Sequence, residues 1–252
     1  MLEGYQSYSF SAPMSNGAVA THDVYFQGEL SGSACIVIIQ ELPGIGKETL
    51  DLARFFVEQG FSVALPHLFG PLGRTSLLGN TARVFCMRKA FKLFEKNASS
   101  PIVDWLRALC GDLRQRHGVG QIGAIGMCLT GNFAISMMVD EHVSAGVASQ
   151  PSMPLGKHDA LHMSAQDVAE IRDSLDHKGT MLALRFAEDP LCRAEKFTAL
   201  DAAFNDDAQR IKLVTLPGKG HSVLTLDLIK GGEPAQAALQ EVLTYFRSAL
   251  AS

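Results

Sequence analysis

Hydrophobic and polar positions follow two alternating patterns along this chain. Short continuous apolar runs recur, and most are followed by a longer stretch whose apolar residues lie three or four positions apart. A continuous apolar run is typical of a strand buried on both faces of a sheet, and the wider spacing is typical of an amphipathic helix. The alternation therefore predicts an α/β fold with a mostly parallel, twisted sheet covered by helices on both faces.

The individual elements follow from the same two patterns. Apolar runs predict strands at 33–40, 61–67, 121–127, 143–149, 180–186 and 211–217, and an extra edge strand at 21–30. Helical spacing predicts helices at 47–59, 102–117, 129–139 and 234–250, with further helical segments between the later strands. Gly60 follows the first of these helices, at the position where a glycine often ends a helix.

Composition narrows the class of protein. The 252 residues are 47% hydrophobic and 19% charged, which is ample material for a core, so we expect a single domain over 1–252. A net charge of −4 offers no basic surface for nucleic acid. The N-terminus lacks the pattern of a signal peptide, and no apolar run is long enough to span a bilayer. We expect a cytoplasmic protein without a membrane partner, either a monomer or a small homo-oligomer.

The cysteines do not form a structural framework. There are five of them, and none is arranged with the CxxC spacing of a zinc site. An odd number of scattered cysteines also argues against a set of disulfides. The sequence therefore predicts reduced cysteines, no metal site and no cofactor.

Reactive residue types follow three of the predicted strands directly. Cys128 comes first in the chain, then the pair Glu188 and Asp189, then His221. Because ligands of parallel α/β sheets bind beyond the carboxyl ends of the strands, we expect these side chains on one rim of the sheet. Nucleophile, acid and histidine in this order match the catalytic triad of α/β-hydrolases, with cysteine in place of serine.

Each of these residue types suits nucleophilic catalysis, but the cysteine and the aspartate also have common non-catalytic roles. A cysteine before a helix gains some positive potential for its thiolate, a histidine exchanges protons near neutral pH, and a carboxylate orients that histidine. A single buried cysteine is more often an inert filler, and an aspartate before a proline is often a helix cap. The combination at successive strand ends favours an enzyme.

Four short motifs resemble the dienelactone hydrolase family of α/β-hydrolases: VIIQE with a nearby glycine, GMCLTG, RFAEDPLC and PGKGHS. The resemblance runs from about the first core strand to the last helix. It implies the α/β-hydrolase fold and a triad of Cys128, His221 and Asp189. It also implies a substrate that is a small carboxylic ester or lactone.

The resemblance implies three further site residues. Glu41 would contact the resting thiol and help convert it to thiolate when substrate arrives, and the backbone N–H groups of Leu42 and Leu129 would form the oxyanion hole. A carboxylate at the end of an apolar strand is costly to bury without a partner, which independently favours a role for Glu41. The alternative for Glu41 is to cap the helix that begins near Lys47.

Two positions depart from the family pattern. Thr130 replaces the second glycine of the motif around Cys128, where we expect slight crowding and no effect on nucleophilic attack. Thr225 stands where family members that act on dienelactone carry an arginine for the substrate carboxylate. A candidate source of another cation is the amphipathic segment 83–96, in which the lysines lie mostly on a solvated face. Arg83, nearer the apolar edge, is the candidate substrate-binding residue.

Two other functions remain open at this stage. A non-catalytic α/β-hydrolase-fold protein would bind a small molecule in the same pocket without turnover, but such proteins usually lose a triad member. A redox-sensing cysteine protein would need a second, resolving cysteine near Cys128, and the sequence shows no obvious one. The hydrolase is the function that uses all the motifs.

Overall fold

A computed structural model of the chain describes residues 2–42, 44–73, 100–152 and 158–251. Its centre is an eight-stranded sheet in the order β1-β2-β4-β3-β5-β6-β7-β8. The strands β3 to β8 are parallel, while β2 pairs antiparallel with both β1 and β4. Their bounds are β1 Gln6–Pro13, β2 Val19–Gln27, β3 Cys35–Ile39, β4 Ser62–Pro66, β5 Ile122–Met127, β6 Val143–Ser149, β7 Met181–Phe186 and β8 Ile211–Leu216.

The described helices connect these strands. They are α1 Lys47–Glu58, α2 Ile102–His117, α3 Gly131–Met137, α4 Ala165–Lys178, α5 Ala194–Phe204 and α6 Gly232–Ala249, with a single 3₁₀ turn at Cys128–Thr130. Gly60 has a φ of 91°, the left-handed conformation expected of a glycine just beyond a helix. None of the described helices is long and apolar enough to cross a membrane.

The core lies in two layers, one on each face of the sheet. Successive residues of β3 alternate between them: Cys35, Val37 and Ile39 belong to one apolar cluster, Ile36 and Ile38 to the other. All five are fully buried. A strand covered on both faces has no solvent side, which explains why its sequence is continuously apolar.

All six core strands predicted from apolar runs are confirmed, and the fold class is confirmed with them. The edge strand is a correction. The segment 21–30 does form a strand, β2, but it is the second from the edge, and β1 occupies the edge itself. The serine-rich β1 buries only Phe10 and Ala12, so it lacks the continuous apolar run that marks the inner strands.

Candidate active site

Cys128 lies at a tight turn between β5 and α3. Its φ is +58°, which is unusual for a residue with a side chain and is strained for the same reason as in the nucleophile turn of α/β-hydrolases. The turn requires its glycines: a Cβ on Gly126 would lie 2.0 Å from the Thr130 carbonyl oxygen, and one on Gly131 would lie 2.9 Å from the Pro151 Cα. The sequence thus holds Cys128 at the carboxyl end of the central strand.

Thr130 stabilises this turn, although the sequence predicted only slight crowding there. Its Oγ1 accepts a hydrogen bond from the Met127 N–H at 2.9 Å. The hydroxyl also lies 3.0 Å from the Ile39 carbonyl oxygen and 3.1 Å from that of Gln40, at the end of β3. Thr130 therefore ties the nucleophile turn to the neighbouring strand, a connection that a glycine lacks.

His221 and Asp189 form a close pair. The Nδ1 atom of His221 lies 2.9 Å from both carboxylate oxygens of Asp189. The Asp189 side chain is fully buried, whereas Glu188, the other acid considered from the sequence, is exposed. The structure therefore pairs the histidine with Asp189.

Asp189 is also held by its own loop. Its Oδ1 accepts hydrogen bonds from the backbone N–H groups of Leu191 and Cys192, both at 2.8 Å. Arg185, at the end of β7, donates to the carbonyl oxygens of Phe186 at 2.9 Å and Cys192 at 3.2 Å. Asp189 thus stabilises a turn and contacts His221, and it is not a helix cap, the common non-catalytic role of such an aspartate, since Arg193 is the N-cap of α5.

The loop of His221 is fixed by a second aspartate. Asp227 accepts hydrogen bonds from the backbone N–H groups of His221 at 2.8 Å and Ser222 at 3.1 Å. Burial lowers the pKa of His221, but its hydrogen bond to Asp189, the nearby Cys128 thiol and the charges of both groups outweigh that effect and raise the pKa to about 10. The imidazolium form is therefore strongly favoured in this environment.

The other ring nitrogen of His221 faces the nucleophile. Its Nε2 is buried and accepts or donates no hydrogen bond among the described residues. The Cys128 thiol is nevertheless near enough to raise the pKa of His221. A buried polar atom without a firm partner is unusual, and in catalytic sites such bonds are often loose until substrate is bound.

The thiol of Cys128 has a partner that the sequence did not single out. Its Sγ lies 3.4 Å from the Ser152 Oγ, and both residues are buried. The Ser152 N–H donates to the Cys128 carbonyl oxygen at 3.1 Å. No spacing or motif pointed to Ser152, because it follows β6, whose end carries no charged or nucleophilic motif.

Glu41 is buried in a group of neutral donors. Its carboxylate accepts hydrogen bonds from the Ser222 hydroxyl at 2.9 Å, from the Gln150 amide at 3.3 Å and from the Thr225 hydroxyl. Burial raises the pKa of Glu41, and these hydroxyl donors and the charge of His221 oppose the rise. The alternative that Glu41 caps α1 is wrong, since Gly46 is the N-cap there and its helix has no side-chain cap.

The expected contact between Glu41 and the thiol is not among the hydrogen bonds of the described residues, where Cys128 pairs with Ser152 instead. Glu41 reaches the triad through Ser222, the neighbour of His221. Thr225, which stands where some family members carry an arginine, donates a hydrogen bond to this carboxylate. The threonine therefore removes a positive charge from the site and adds a hydroxyl group that holds Glu41.

Gln150 is a second site residue that the sequence did not reveal. It is fully buried with a φ of +36°, and its backbone N–H donates to the Leu184 carbonyl oxygen at 2.6 Å. Its side-chain oxygen accepts from the Val223 N–H at 3.3 Å, while its amide donates to Glu41. Gln150 thus joins the strand ends of β3, β6 and β8. Its positive φ, visible only in three dimensions, is the signal that marks it.

The remaining predicted residues have mixed outcomes. Leu129 is buried in the turn directly after Cys128, and Leu42 is half-buried directly after Glu41, so both backbones lie at the rim where the oxyanion hole is expected. Arg83 and the segment 83–96 lie outside the described residues. No cluster of metal-ligating side chains occurs among the residues that are described.

Comparison with known proteins identifies the family of the chain. The model of the dienelactone hydrolase family matches residues 24–250. No curated protein matches the sequence.

Solved structures share the fold at low sequence identity. The chain is similar to a dienelactone hydrolase-like promiscuous phosphotriesterase from metagenomic libraries, with a TM-score of 0.67, 16% identity and coverage of 98% of this chain and 99% of that one. It is also similar to a cold-adapted esterase from an Arctic intertidal metagenomic library, with a TM-score of 0.63, 14% identity and coverage of 99% and 96%.

A third similar structure is carboxyl esterase 2 from the mycorrhizal fungus Tuber melanosporum, with a TM-score of 0.59, 13% identity and coverage of 99% of this chain and 89% of that one. These similarities establish the α/β-hydrolase fold, and the family model covers nearly the whole chain. With its cysteine turn and histidine–aspartate pair, the chain belongs to the dienelactone hydrolase family of hydrolases.

Proposed function

We propose that this chain hydrolyses a small carboxylic ester or lactone through a triad of Cys128, His221 and Asp189. The observation that carries the proposal is the geometry of His221. Its Nδ1 is fixed by the buried Asp189, and its Nε2 is buried beside Cys128 with no other hydrogen-bond partner in the described part of the chain. A base oriented in this way serves a single nucleophile.

In the first half of the reaction, the Cys128 sulfur attacks the carbonyl carbon of the ester. A carbon–sulfur bond forms, and the carbonyl oxygen becomes an oxyanion that the N–H groups of Leu42 and Leu129 stabilise. The carbon–oxygen bond to the leaving group then breaks, and His221 gives its Nε2 proton to the departing alkoxide. The product of this half is a thioester on Cys128.

In the second half, water attacks the thioester while His221 takes one of its protons. The carbon–sulfur bond breaks, the carboxylic acid leaves, and His221 is again an imidazolium beside the thiolate. The thiolate then regains its own proton from Glu41, the group that accepts it on activation. Asp189 holds the ring of His221 and stabilises its positive charge through both steps. The raised pKa of His221 suits this role, because the imidazolium must persist beside the thiolate.

Glu41 assists activation of the nucleophile in this proposal. Burial raises the pKa of Glu41, so its carboxylate is a better proton acceptor than an exposed glutamate. In the resting arrangement the sulfur contacts Ser152, so proton transfer to Glu41 requires the S–H bond to turn away from Ser152 when substrate binds, while the sulfur keeps its contact with the Ser152 hydroxyl. The three neutral donors around Glu41 hold its carboxylate in place for that step.

The test is to trap the acyl-enzyme. Rapid mixing with p-nitrophenyl acetate should release a burst of nitrophenol, and mass spectrometry of the quenched protein should find the acetyl group on the peptide that contains Cys128. Cys128→Ala should show neither burst nor acetylation. A purely ligand-binding protein of this fold would give no burst with any of a series of aryl esters and small lactones, and that result would refute the proposal.

A further inference from the structure

Ser152 contacts the sulfur that the proposed function makes the nucleophile. The two atoms, Ser152 Oγ and Cys128 Sγ, lie 3.4 Å apart in a buried environment. Among the described residues the thiol hydrogen-bonds to Ser152, while Nε2 of His221 lies near the sulfur without a well-aligned hydrogen bond. We propose that Ser152 is a catalytic residue, whose hydroxyl donates to the Cys128 thiolate and favours that form of the nucleophile. This inference rests on the proposed function.

The hydroxyl of Ser152 is held in position by its own backbone. Its N–H donates to the Cys128 carbonyl oxygen at 3.1 Å, and its carbonyl oxygen accepts from the Asn132 amide at 3.3 Å. The same amide donates to the Leu129 carbonyl oxygen at 3.1 Å, so Asn132 joins the two segments on either side of the sulfur. Ser152 therefore cannot move away from Cys128 without breaking bonds to α3 and its preceding turn.

Lys196 fixes the orientation of Asn132. Its buried ammonium donates to the Asn132 Oδ1 and to the Ala160 carbonyl oxygen, each at 2.7 Å. Because an ammonium group only donates, the amide must present its oxygen to Lys196 and its nitrogen to Leu129 and Ser152. The chain of contacts from Lys196 to the sulfur leaves Ser152 preorganised.

The direction of the effect follows from the chemistry of the hydroxyl. A serine O–H is able to accept from a thiol or donate to a thiolate, and the bond to the charged form is the stronger of the two. Ser152 thus stabilises the thiolate more than the thiol. Other titratable groups surround this pair. His221 and Cys192 interact with Cys128, Asp189 and Glu41 interact with His221, and Lys196 bonds Asn132. All of them stay in place when only the hydroxyl of residue 152 changes.

The experiment measures how fast iodoacetamide alkylates Cys128 as a function of pH, with peptide mass mapping to locate the label. We expect Ser152→Ala to move the midpoint of this profile upward by about one pH unit, as the loss of one hydrogen bond to a charged group does. On p-nitrophenyl acetate, kcat should fall about tenfold while KM changes less than about twofold, because the bond serves the nucleophile rather than the substrate.

Ser152→Thr, which keeps the hydroxyl, should retain the wild-type midpoint. Ser144→Ala is the matched control: Ser144 begins the same strand β6 and bonds Gln121 at the opposite end of the sheet, so its loss should leave the profile unchanged. If Ser152→Ala does not fold, Ser152→Gly removes the same hydroxyl and makes the same test. A folded variant without the hydroxyl whose profile superimposes on that of wild type would overturn the proposal.

Failure of this inference is distinguishable from failure of the proposed function. The alkylation profile needs no substrate and reports only on the environment of Cys128. An active Cys128→Ala enzyme would refute the nucleophile, whatever the profile of the Ser152 variants. An inactive Cys128→Ala enzyme combined with an unshifted Ser152→Ala profile would leave the triad standing and remove Ser152 from the reaction.

Discussion

Two groups of polar side chains at opposite positions in the fold show what distinguishes a reactive site from a structural one. The first, here called the triad group, comprises Cys128, His221, Asp189 and Glu41. The second, the Arg210 group, joins α4 to the segment before β8 and comprises Arg210, Arg172, Asp176, Asp206 and Asp207. Both groups contain several charged side chains, but they differ in how far each charge is paired with an opposite charge.

In the Arg210 group each charge meets an opposite one. Arg210 donates to both oxygens of Asp176, at 2.8 and 3.0 Å, and to the Phe204 carbonyl oxygen at 3.0 Å. Arg172 bonds Asp206 at 2.6 Å and Asp207 at 2.9 Å. The aspartates of this group are exposed, and none of its members has a strained backbone among the positive-φ residues. This pattern is typical of an ion-pair network that links elements.

In the triad group the balance is incomplete. Glu41 is buried against neutral donors only, Nε2 of His221 has no hydrogen-bond partner in the described part of the chain, and Cys128 has a positive φ. Such groups cost folding free energy, and they persist where the surrounding structure holds them for chemistry. The proposed reactive site thus differs from the Arg210 group in its buried polar groups without a charged hydrogen-bond partner and in its strained backbone, and not in the number of its charged residues.

The largest expected effect is that of Cys128→Ala. Removing a nucleophile costs orders of magnitude in rate, so kcat on the best aryl ester should fall by more than about a thousandfold. Cys110→Ala is the control, because Cys110 is a buried residue of α2 in the apolar core, and its substitution should change the stability of the protein and not its activity. Steady-state kinetics with melting curves of both variants make the measurement. Near-wild-type turnover in Cys128→Ala would contradict the mechanism.

The next effect separates the two members of the histidine–aspartate pair. His221→Ala should lose about a thousandfold in kcat, and Asp189→Ala should lose less, because an imidazole without its carboxylate still accepts a proton. Glu188→Ala removes the neighbouring, exposed acid and should keep wild-type kcat. A greater loss in Glu188→Ala than in Asp189→Ala would show that Glu188, and not Asp189, is the acid.

Glu41→Gln should have a smaller effect than either. The amide keeps the shape of the carboxylate but loses its ability to take a proton, so kcat should fall by about tenfold or more while KM changes little. Single-turnover kinetics distinguish slow acylation from weak binding. Thr225→Val removes a hydroxyl bond to the same carboxylate and should give a weaker loss in the same direction. Unimpaired acylation in Glu41→Gln would reduce Glu41 to a structural residue.

The two groups should also respond to pH in opposite directions. The pKa of His221 is raised to about 10 from 6.5, so the stability that its pairing contributes is complete below about pH 6.5 and is lost as pH rises through about 10. The hydrogen bond from Arg210 lowers the pKa of Asp207. The stability contributed by this ion pair is therefore present at pH values above the ordinary pKa of an aspartate and is lost as the pH falls below it. Urea unfolding of wild type, His221→Ala and Asp207→Asn across pH would check both signs. His221→Ala should be less stable than wild type below about pH 6.5 and should no longer differ from it above about pH 10, so a difference that stays constant across this range would contradict the first sign.

The smallest expected effect on activity comes from the Arg210 group. Arg210→Gln should lower the free energy of unfolding, because it breaks the bonds that join α4 to the segment before β8. It should leave kcat/KM within about twofold of wild type, since no reacting group is touched. Denaturant unfolding and kinetics on one preparation make the comparison. A selective loss of activity with unchanged stability would break the distinction between the two groups.

The amino-acid sequence alone predicts the fold class, which the structure confirms, and the residues of the proposed triad. Continuous apolar runs such as Cys35–Ile39 predict strands covered on both faces, and parallel strands bring their carboxyl ends to one rim. Cys128, Asp189 and His221 follow such runs, so the sequence alone predicts that they lie close together at that rim. The dienelactone hydrolase motifs were equally readable, because they are contiguous in the chain.

Only the tertiary structure decided which neighbours these residues have. Ser152 and Gln150 carry no motif, and each becomes significant through contacts to residues more than twenty positions away. The choice of Asp189 over Glu188 depended on burial, and the roles of Thr130 and Thr225 depended on carbonyl and carboxylate groups of another strand. Periodicity reports which face of an element is buried, whereas hydrogen-bond partners across strand ends are set by how the loops pack.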